Sequence, residues 1–347
     1  MPLRSIALAV PDFAALTAIA SHVEDAGFDR AWTTELRSRD AVVRAVQVAA
    51  QTKRLLVGTG IAYAFTRHPM AMAASAVEAA AATGGRLTIG LGAGTAHTRG
   101  EFGIEFDHPA SRLAEYVTVM RSAVDTAVRG GDLEHHGRFY DISMPAFAFG
   151  HEPGLLGSVR FYGSALLPRA LRLLAGVCDG LALHPFAHVD GYLTGVVLPT
   201  VADAVGEAGR LRPTLAAWLV SCALDDREEA RALARAQVAL YAAQPGYASF
   251  FEHTPWVADA ARIRDAANLV AGRVPWRALG IELVSDQMLD DLAAAGTAHE
   301  VAERVAATEA RLASLGVAEL TVQVPGVALP AERTERVLRD LVAALAR

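Results

Sequence analysis

Four stretches of the chain carry groups suited to chemistry. Glu35 closes the apolar segment 29–34. A carboxylate there could relay a proton or orient a substrate, or serve only as a salt-bridged rim residue. Gly90, Gly92 and Gly94 alternate and lead into Thr95, Ala96 and His97. Thr95 offers a hydroxyl, and His97 is either a proton donor or a histidine on a solvated rim. Gly163, Ser164 and Ala165 are small enough for a ligand to approach the backbone, and amides at a helix start bind phosphate. Arg169 follows in the next helix, where it could complement an anionic tail or cover a solvated face. His184, before Pro185 and Phe186, is a further acid–base candidate, but it is one of 11 histidines, so a packing role competes. His68 is similar.

Composition removes several function classes. The 347 residues are 52% hydrophobic and 20% charged, enough for a large core. A net charge of −6 gives no nucleic-acid-binding face. Lys53 is the only lysine and neighbours Arg54 in an expected surface turn, which sets Schiff-base chemistry aside. Cys178 and Cys222 lie far apart and no Cys/His cluster has zinc spacing, so no metal site is expected. A reduced cytoplasmic location is the simplest expectation. The apolar residues 5–10 are interrupted by Pro11 and Asp12, which reads as a first strand rather than a signal peptide. No apolar stretch reaches transmembrane length without a charge or breaker, so no membrane partner is expected.

The elements that must position these residues alternate. Strands are predicted at 6–10, 29–34, 55–62, 86–91, 159–162, 180–183, 215–223 and 320–324. Helices are predicted at 13–26, 40–52, 69–82, 110–128, 168–177, 189–208, 227–241, 289–294, 299–315 and 331–345, with Asp40 as one cap and Pro69 in a first turn. Residues 135–144 read as an extended insertion, and 244–285 as a long irregular region packing over one side of the site. Eight strand–helix units predict one α/β domain over 1–347, a (β/α)8 TIM barrel with insertions after strand 4 and helix 7. An open doubly wound sheet is the alternative. The missing third glycine after Gly94 argues against a dinucleotide fingerprint. In a barrel the chemistry sits after the strand C-termini, which selects loops 33–39, 59–68, 92–99, 163–167, 184–188, 221–226 and 323–326. Trp218 reads as core. Tyr63, Phe65, Phe250, Phe251 and Trp256 either wall an apolar pocket or simply pack.

Ordered along the chain, several motifs resemble the luciferase-like monooxygenase superfamily. They are Gly27-Phe28-Asp29-Arg30-Ala31-Trp32 with Glu35; Gly58-Thr59-Gly60-Ile61; Thr66-Arg67-His68-Pro69; the run from Gly84 to Gly94; His136-Gly137-Arg138-Phe139-Tyr140; and Ala175-Gly176-Val177-Cys178-Asp179-Gly180. Leu283-Val284-Ser285-Asp286 and Gly296-Thr297-Ala298-His299-Glu300-Val301 resemble its deazaflavin-dependent branch. The resemblance implies a barrel that binds coenzyme F420, with FMN the alternative. It implies a cis peptide at Gly60–Ile61 backing the ring, cofactor contacts from Thr59, Gly60, Ile61, Gly94, Thr95, Gly163, Ser164, Ala165 and Arg169, and catalytic roles for Glu35, His97 and His184.

Two departures shape the expected reaction. Alcohol- and sugar-oxidising relatives carry a histidine base where this chain has Leu36. Others carry a glutamate where it has Thr95. Hydride transfer between F420 and a small organic substrate, reducing C=C or C=N, is therefore expected over alcohol oxidation. The alternatives are an FMN-dependent two-component monooxygenase and a barrel that binds cofactor or ligand without turnover. Analogy also implies a homodimer and a flavin or F420 reductase as supplier.

Overall fold

The computed structural model describes residues 2–105 and 107–347, with the backbone only of 96 and 97. The strands are β1 (Leu3–Leu8), β2 (Arg30–Thr33), β3 (Leu56–Thr59), β4 (Ala62–Tyr63), β5 (Leu87–Gly92), β6 (Leu133–His136), β7 (Asp141–Met144), β8 (Arg160–Ala165), β9 (Gly180–Leu183), β10 (Thr214–Ala223), β11 (Ala293–Gly296) and β12 (Glu319–Gln323). Eight of them follow one another in a parallel sheet as β1, β2, β3, β5, β8, β9, β10 and β12, and β12 pairs with β1. That order is the expected (β/α)8 barrel. Near-continuous Val, Ile, Leu and Ala runs suit strands covered on both faces. Two compact units make up the chain, Met1–Asp29 with Leu183–Pro199 and Leu215–Arg347, and Arg30–Ala182 with Thr200–Thr214.

In the first unit β12 lies between β1 and β10, with Leu3 opposite Glu319 and Ala216 opposite the same residue. Helices Phe13–Asp25, Arg227–Ala242, Ala298–Ser314 and Ala331–Ala344 belong to this unit. Each start is set by local chemistry where a polar cap exists. Asp12 accepts from the Ala15 amide at 2.6 Å, Asp226 from Glu229 at 3.0 Å, and Thr297 with Glu300 forms a reciprocal capping box. A buried ion pair ties the N-terminal strand to the helix Ala298–Ser314. Arg4 Nε donates to Glu309 Oε1 at 2.6 Å and Nη2 to Oε2 at 2.5 Å, while Nη1 satisfies the Leu345 carbonyl.

In the second unit β3 lies between β2 and β5, and β8 follows on β5. Helices Ala41–Ala50, Pro69–Ala82, Pro109–Arg129 and Pro168–Ala175 belong to it. The expected extended insertion is the antiparallel hairpin β6–β7. Glu115 clamps it, accepting amides from Arg138, Phe139 and Tyr140 at 2.8–3.1 Å. No described helix is long and apolar enough to cross a membrane.

Two expectations are corrected. The stretch 244–285 is largely helical, with helices Ala248–Phe251, Val257–Asn268 and Trp276–Leu283. Ala260, Ile263 and Ala267 bury one face of the middle one. The last abuts the helix Arg227–Ala242 so closely that a Cβ on Gly280 would lie 2.6 Å from the Arg235 carbonyl carbon. Residues 289–294 are not one helix: the helix is Asp286–Leu292, and Ala293 starts β11, paired in parallel with β10. Alanine favours helix in isolation, but the ladder to Val220 through Ala223 overrides that preference.

Candidate functional site

Within the second unit, the ends of β2, β3 and β5 build one group of residues. Three glycines let these strands approach. A Cβ on Gly58 would meet the Trp32 ring at 2.5 Å, one on Gly90 would run into the Thr59 carbonyl oxygen, and one on Gly92 would run into Ile61 Cδ1. The alternating glycines of β5 are thus a packing device against β3. Thr59 is fully buried, its hydroxyl donating to the Gly90 carbonyl at 2.7 Å and accepting from the Gly90 amide at 2.9 Å. Beyond it the Gly60–Ile61 peptide is cis, as the resemblance implied. The Gly60 amide donates to the Thr33 carbonyl at 2.7 Å, and the Ile61 carbonyl accepts from the Glu35 amide at 3.3 Å.

Glu35 lies 8% exposed beside this bulge. Oε1 accepts from Arg67 Nη1 at 2.9 Å, and Oε2 accepts more weakly, from the same nitrogen at 3.2 Å and from the Tyr63 amide at 3.3 Å. Burial raises its pKa above the usual carboxylate value, Asp40 adds to the rise, and Arg67 opposes it. Glu35 is therefore salt-bridged, the rim-carboxylate reading of its sequence position, with burial holding its carboxyl above the ordinary value. Arg67 also donates to Asp40 Oδ2 at 2.6 Å, and its carbonyl accepts from Tyr116 Oη at 3.1 Å.

The loop after β5 uses its polar groups locally. Gly94 takes φ +69°, a conformation glycine adopts freely. Thr95 Oγ1 caps the short helix Ala96–Glu101 by accepting from the Thr98 amide at 3.2 Å. His97 falls outside the described side chains. Arg99 is 4% exposed and donates Nε to the Thr95 carbonyl at 3.3 Å, and desolvation lowers its pKa to about 10. Gly163, Ser164 and Ala165 lie within β8 and not in a loop after it, because the ladder to β5 extends to Gly163. The space a Gly163 side chain would need is filled by Leu174 Cδ1 at 2.9 Å and Cys178 Sγ at 3.0 Å, a packing reason for that glycine. Arg169 is exposed and donates to Ser111 at 3.1 Å. His68 is a helix cap, accepting from the Met70 amide at 3.3 Å.

The first unit holds a second group around His184. Its ring centroid lies 4.4 Å from Tyr247, 4.8 Å from Tyr241 and 5.2 Å from Phe186. Phe186 in turn packs on the buried Phe250 and Phe251. Nδ1 accepts from the Phe186 amide at 3.2 Å. The proton of the neutral ring is therefore on Nε2, which is buried and has no partner among the described residues. Desolvation lowers this histidine to about 3, so it stays neutral in ordinary buffers. Gln323 Nε2 donates to Tyr241 Oη at 2.9 Å, and Gln237 Oε1 accepts from the amides of Gly326 and Val327. Trp218 is buried, as expected of core. Among the described residues no group of three His, Cys, Asp or Glu is placed to hold a metal.

Sequence reasoning missed Arg67 as partner of Glu35, and Tyr241 and Tyr247 as walls of His184. Arg67 lies 32 residues from Glu35, and Tyr241 lies 57 beyond His184. No local spacing joins them.

The sequence profile of the luciferase-like monooxygenase family matches residues 3–315, and the chain belongs to that family. An uncharacterised protein of Mycobacterium tuberculosis is 31% identical over 289 residues, 81% of this chain and 82% of its own length. The 5,10-methylenetetrahydromethanopterin reductase of Archaeoglobus fulgidus is 26% identical over 81% of this chain and 82% of its own. Among solved structures, the coenzyme F420-dependent tetrahydromethanopterin reductase of Methanopyrus kandleri superposes with a TM-score of 0.75 at 20% identity, over 99% of this chain and 98% of that one. This last likeness is one of fold.

Proposed function

We propose that this luciferase-like family member transfers a hydride between coenzyme F420 and a small organic substrate, in the direction that reduces a C=C or C=N bond. The observation that carries the reading is the unpartnered Nε2–H of His184 within walls of Tyr241, Tyr247 and Phe186. A neutral donor in an apolar wall suits an acceptor atom on a flat conjugated ring, because a buried donor without a partner is costly until one arrives. A relative named as a reductase supports the reducing direction. So does Leu36, which is 44% exposed and supplies no base next to Glu35.

In this reading the backbone at Gly60, Ile61, Gly94 and Thr95 would line a deazaflavin ring, and Ser164, Ala165 and Arg169 would meet its anionic tail. When bound, the coenzyme supplies hydride to one carbon of the substrate double bond. Glu35 holds the balancing proton at Oε2, the oxygen with the weaker contacts, and delivers it to the other atom of that bond. His184 orients and takes no proton. Comparative titration with F420 and FMN tests the cofactor assignment.

His184→Phe keeps the ring packing and removes the donor. It should weaken F420 binding about tenfold, the size of one hydrogen bond of roughly 1.4 kcal/mol. The loss should be the same from about pH 5 to 8, where an ordinary histidine would titrate. A loss that changes across that range would mean His184 binds as imidazolium.

A further inference from the structure

We propose that Asp40 is a positioning residue that divides the Arg67 guanidinium between two carboxylates, so that Glu35 is kept able to hold a proton. The use of that proton rests on the hydride-transfer reading; the division does not. Arg67 Nη1 serves Glu35 at 2.9 and 3.2 Å, while Nη2 serves Asp40 at 2.6 Å. A guanidinium that meets one carboxylate with both nitrogens makes a bidentate pair and holds it ionised. Here the fork is split, and one positive charge faces two carboxyls. The proton belongs on the drier of them: the Glu35 side chain is 7% exposed and that of Asp40 39%.

The arrangement is fixed from several sides. Asp40 Oδ1 accepts from the Val43 amide at 2.9 Å, so the start of the helix Ala41–Ala50 holds its carboxylate. Tyr116 Oη holds the Arg67 carbonyl from the helix Pro109–Arg129. The groups facing Glu35 are Arg67, Asp40, the Tyr63 amide and the phenols of Tyr63 and Tyr116, whose own pKa values burial raises, leaving them neutral. The Arg37–Glu101 pair faces Tyr63 and is exposed on its arginine side. Asp40 is thus the charged group whose removal frees Arg67 for Glu35.

The test is the titration of Glu35 itself in the full-length chain, by carbon-13 NMR of protein labelled at glutamate carboxyls, with the signal assigned by its loss in Glu35→Gln. In Asp40→Asn the midpoint should fall by about one unit or more. Asparagine caps a helix about as well as aspartate, so the melting temperature should barely move. Asp40→Glu restores the charge with a poorer cap. It should bring the midpoint back toward wild type while lowering the melting temperature. Asp40→Ser keeps a cap without the charge and replaces Asp40→Asn if that variant does not fold. An unchanged or raised midpoint in the uncharged variants overturns the proposal, as does a midpoint that follows the melting temperature across the series. No substrate enters this measurement, so a failed search for F420-linked turnover would sink the hydride-transfer reading and leave the midpoint result standing.

Discussion

Glu35→Gln should cut turnover roughly 100- to 10,000-fold, the usual contribution of a positioned proton donor, while F420 affinity stays within a few-fold of wild type. Glutamine keeps the shape and an acceptor for Arg67 but has no proton to give. Stability offers a second, substrate-free readout. The Glu35 pKa is raised in the folded chain. Its contribution to stability is then full at pH below the unfolded carboxyl value and is lost as pH rises through the folded value. Glutamine carries no such dependence. Urea unfolding across acidic to neutral pH should show the variant gaining on wild type over that window and holding the gain above it. Equal turnover with equal pH dependence would return Glu35 to the role of a rim salt bridge.

Arg4→Met should lower the unfolding free energy by about 3–5 kcal/mol, the loss expected when one partner of a buried ion pair is removed. The side chains of Arg4 and Glu309 are 10% and 3% exposed. Methionine would leave the Glu309 carboxylate, among the described residues, with Arg347 Nη2 at 3.4 Å, and would leave the Leu345 carbonyl without its Arg4 donor. Pairing the change with Glu309→Leu should recover much of the loss, because no buried charge then remains. Chemical denaturation of the single and double variants measures both. A single variant within about 1 kcal/mol of wild type, the range of a surface pair, would contradict this account of the unit.

Much of the barrel was legible because its elements carry their own signals. Pro69–Ala82 and Gly180–Leu183 have the bounds that Pro at a first turn and a short apolar run predict. The Asp40 cap is bonded as its residue type implied. The misreadings have a common cause. Val257–Asn268 and Trp276–Leu283 are separated by Gly272 and Pro275, which read locally as loop, and what makes them helical is a face packed on distant chain. Ala293–Gly296 is a strand only because β10 offers it a ladder. The site divides the same way. Glu35, Gly60 and His184 stand where strand ends place them, but the properties that matter come from Arg67, Asp40, Tyr241 and Tyr247, set by tertiary contact. Gly90, Gly92 and Gly163 show the reverse, since glycines that could admit a ligand are also required by neighbouring side chains and backbone.

The central claim is the choice of cofactor, and a fluorescence titration of the purified chain with coenzyme F420 and, separately, with FMN tests it most directly. The account predicts micromolar or tighter binding of F420 with FMN much weaker. Tighter binding of FMN, or binding of neither, would contradict it: the first would point to a two-component monooxygenase, and the second to a barrel that has kept the family fold without its coenzyme.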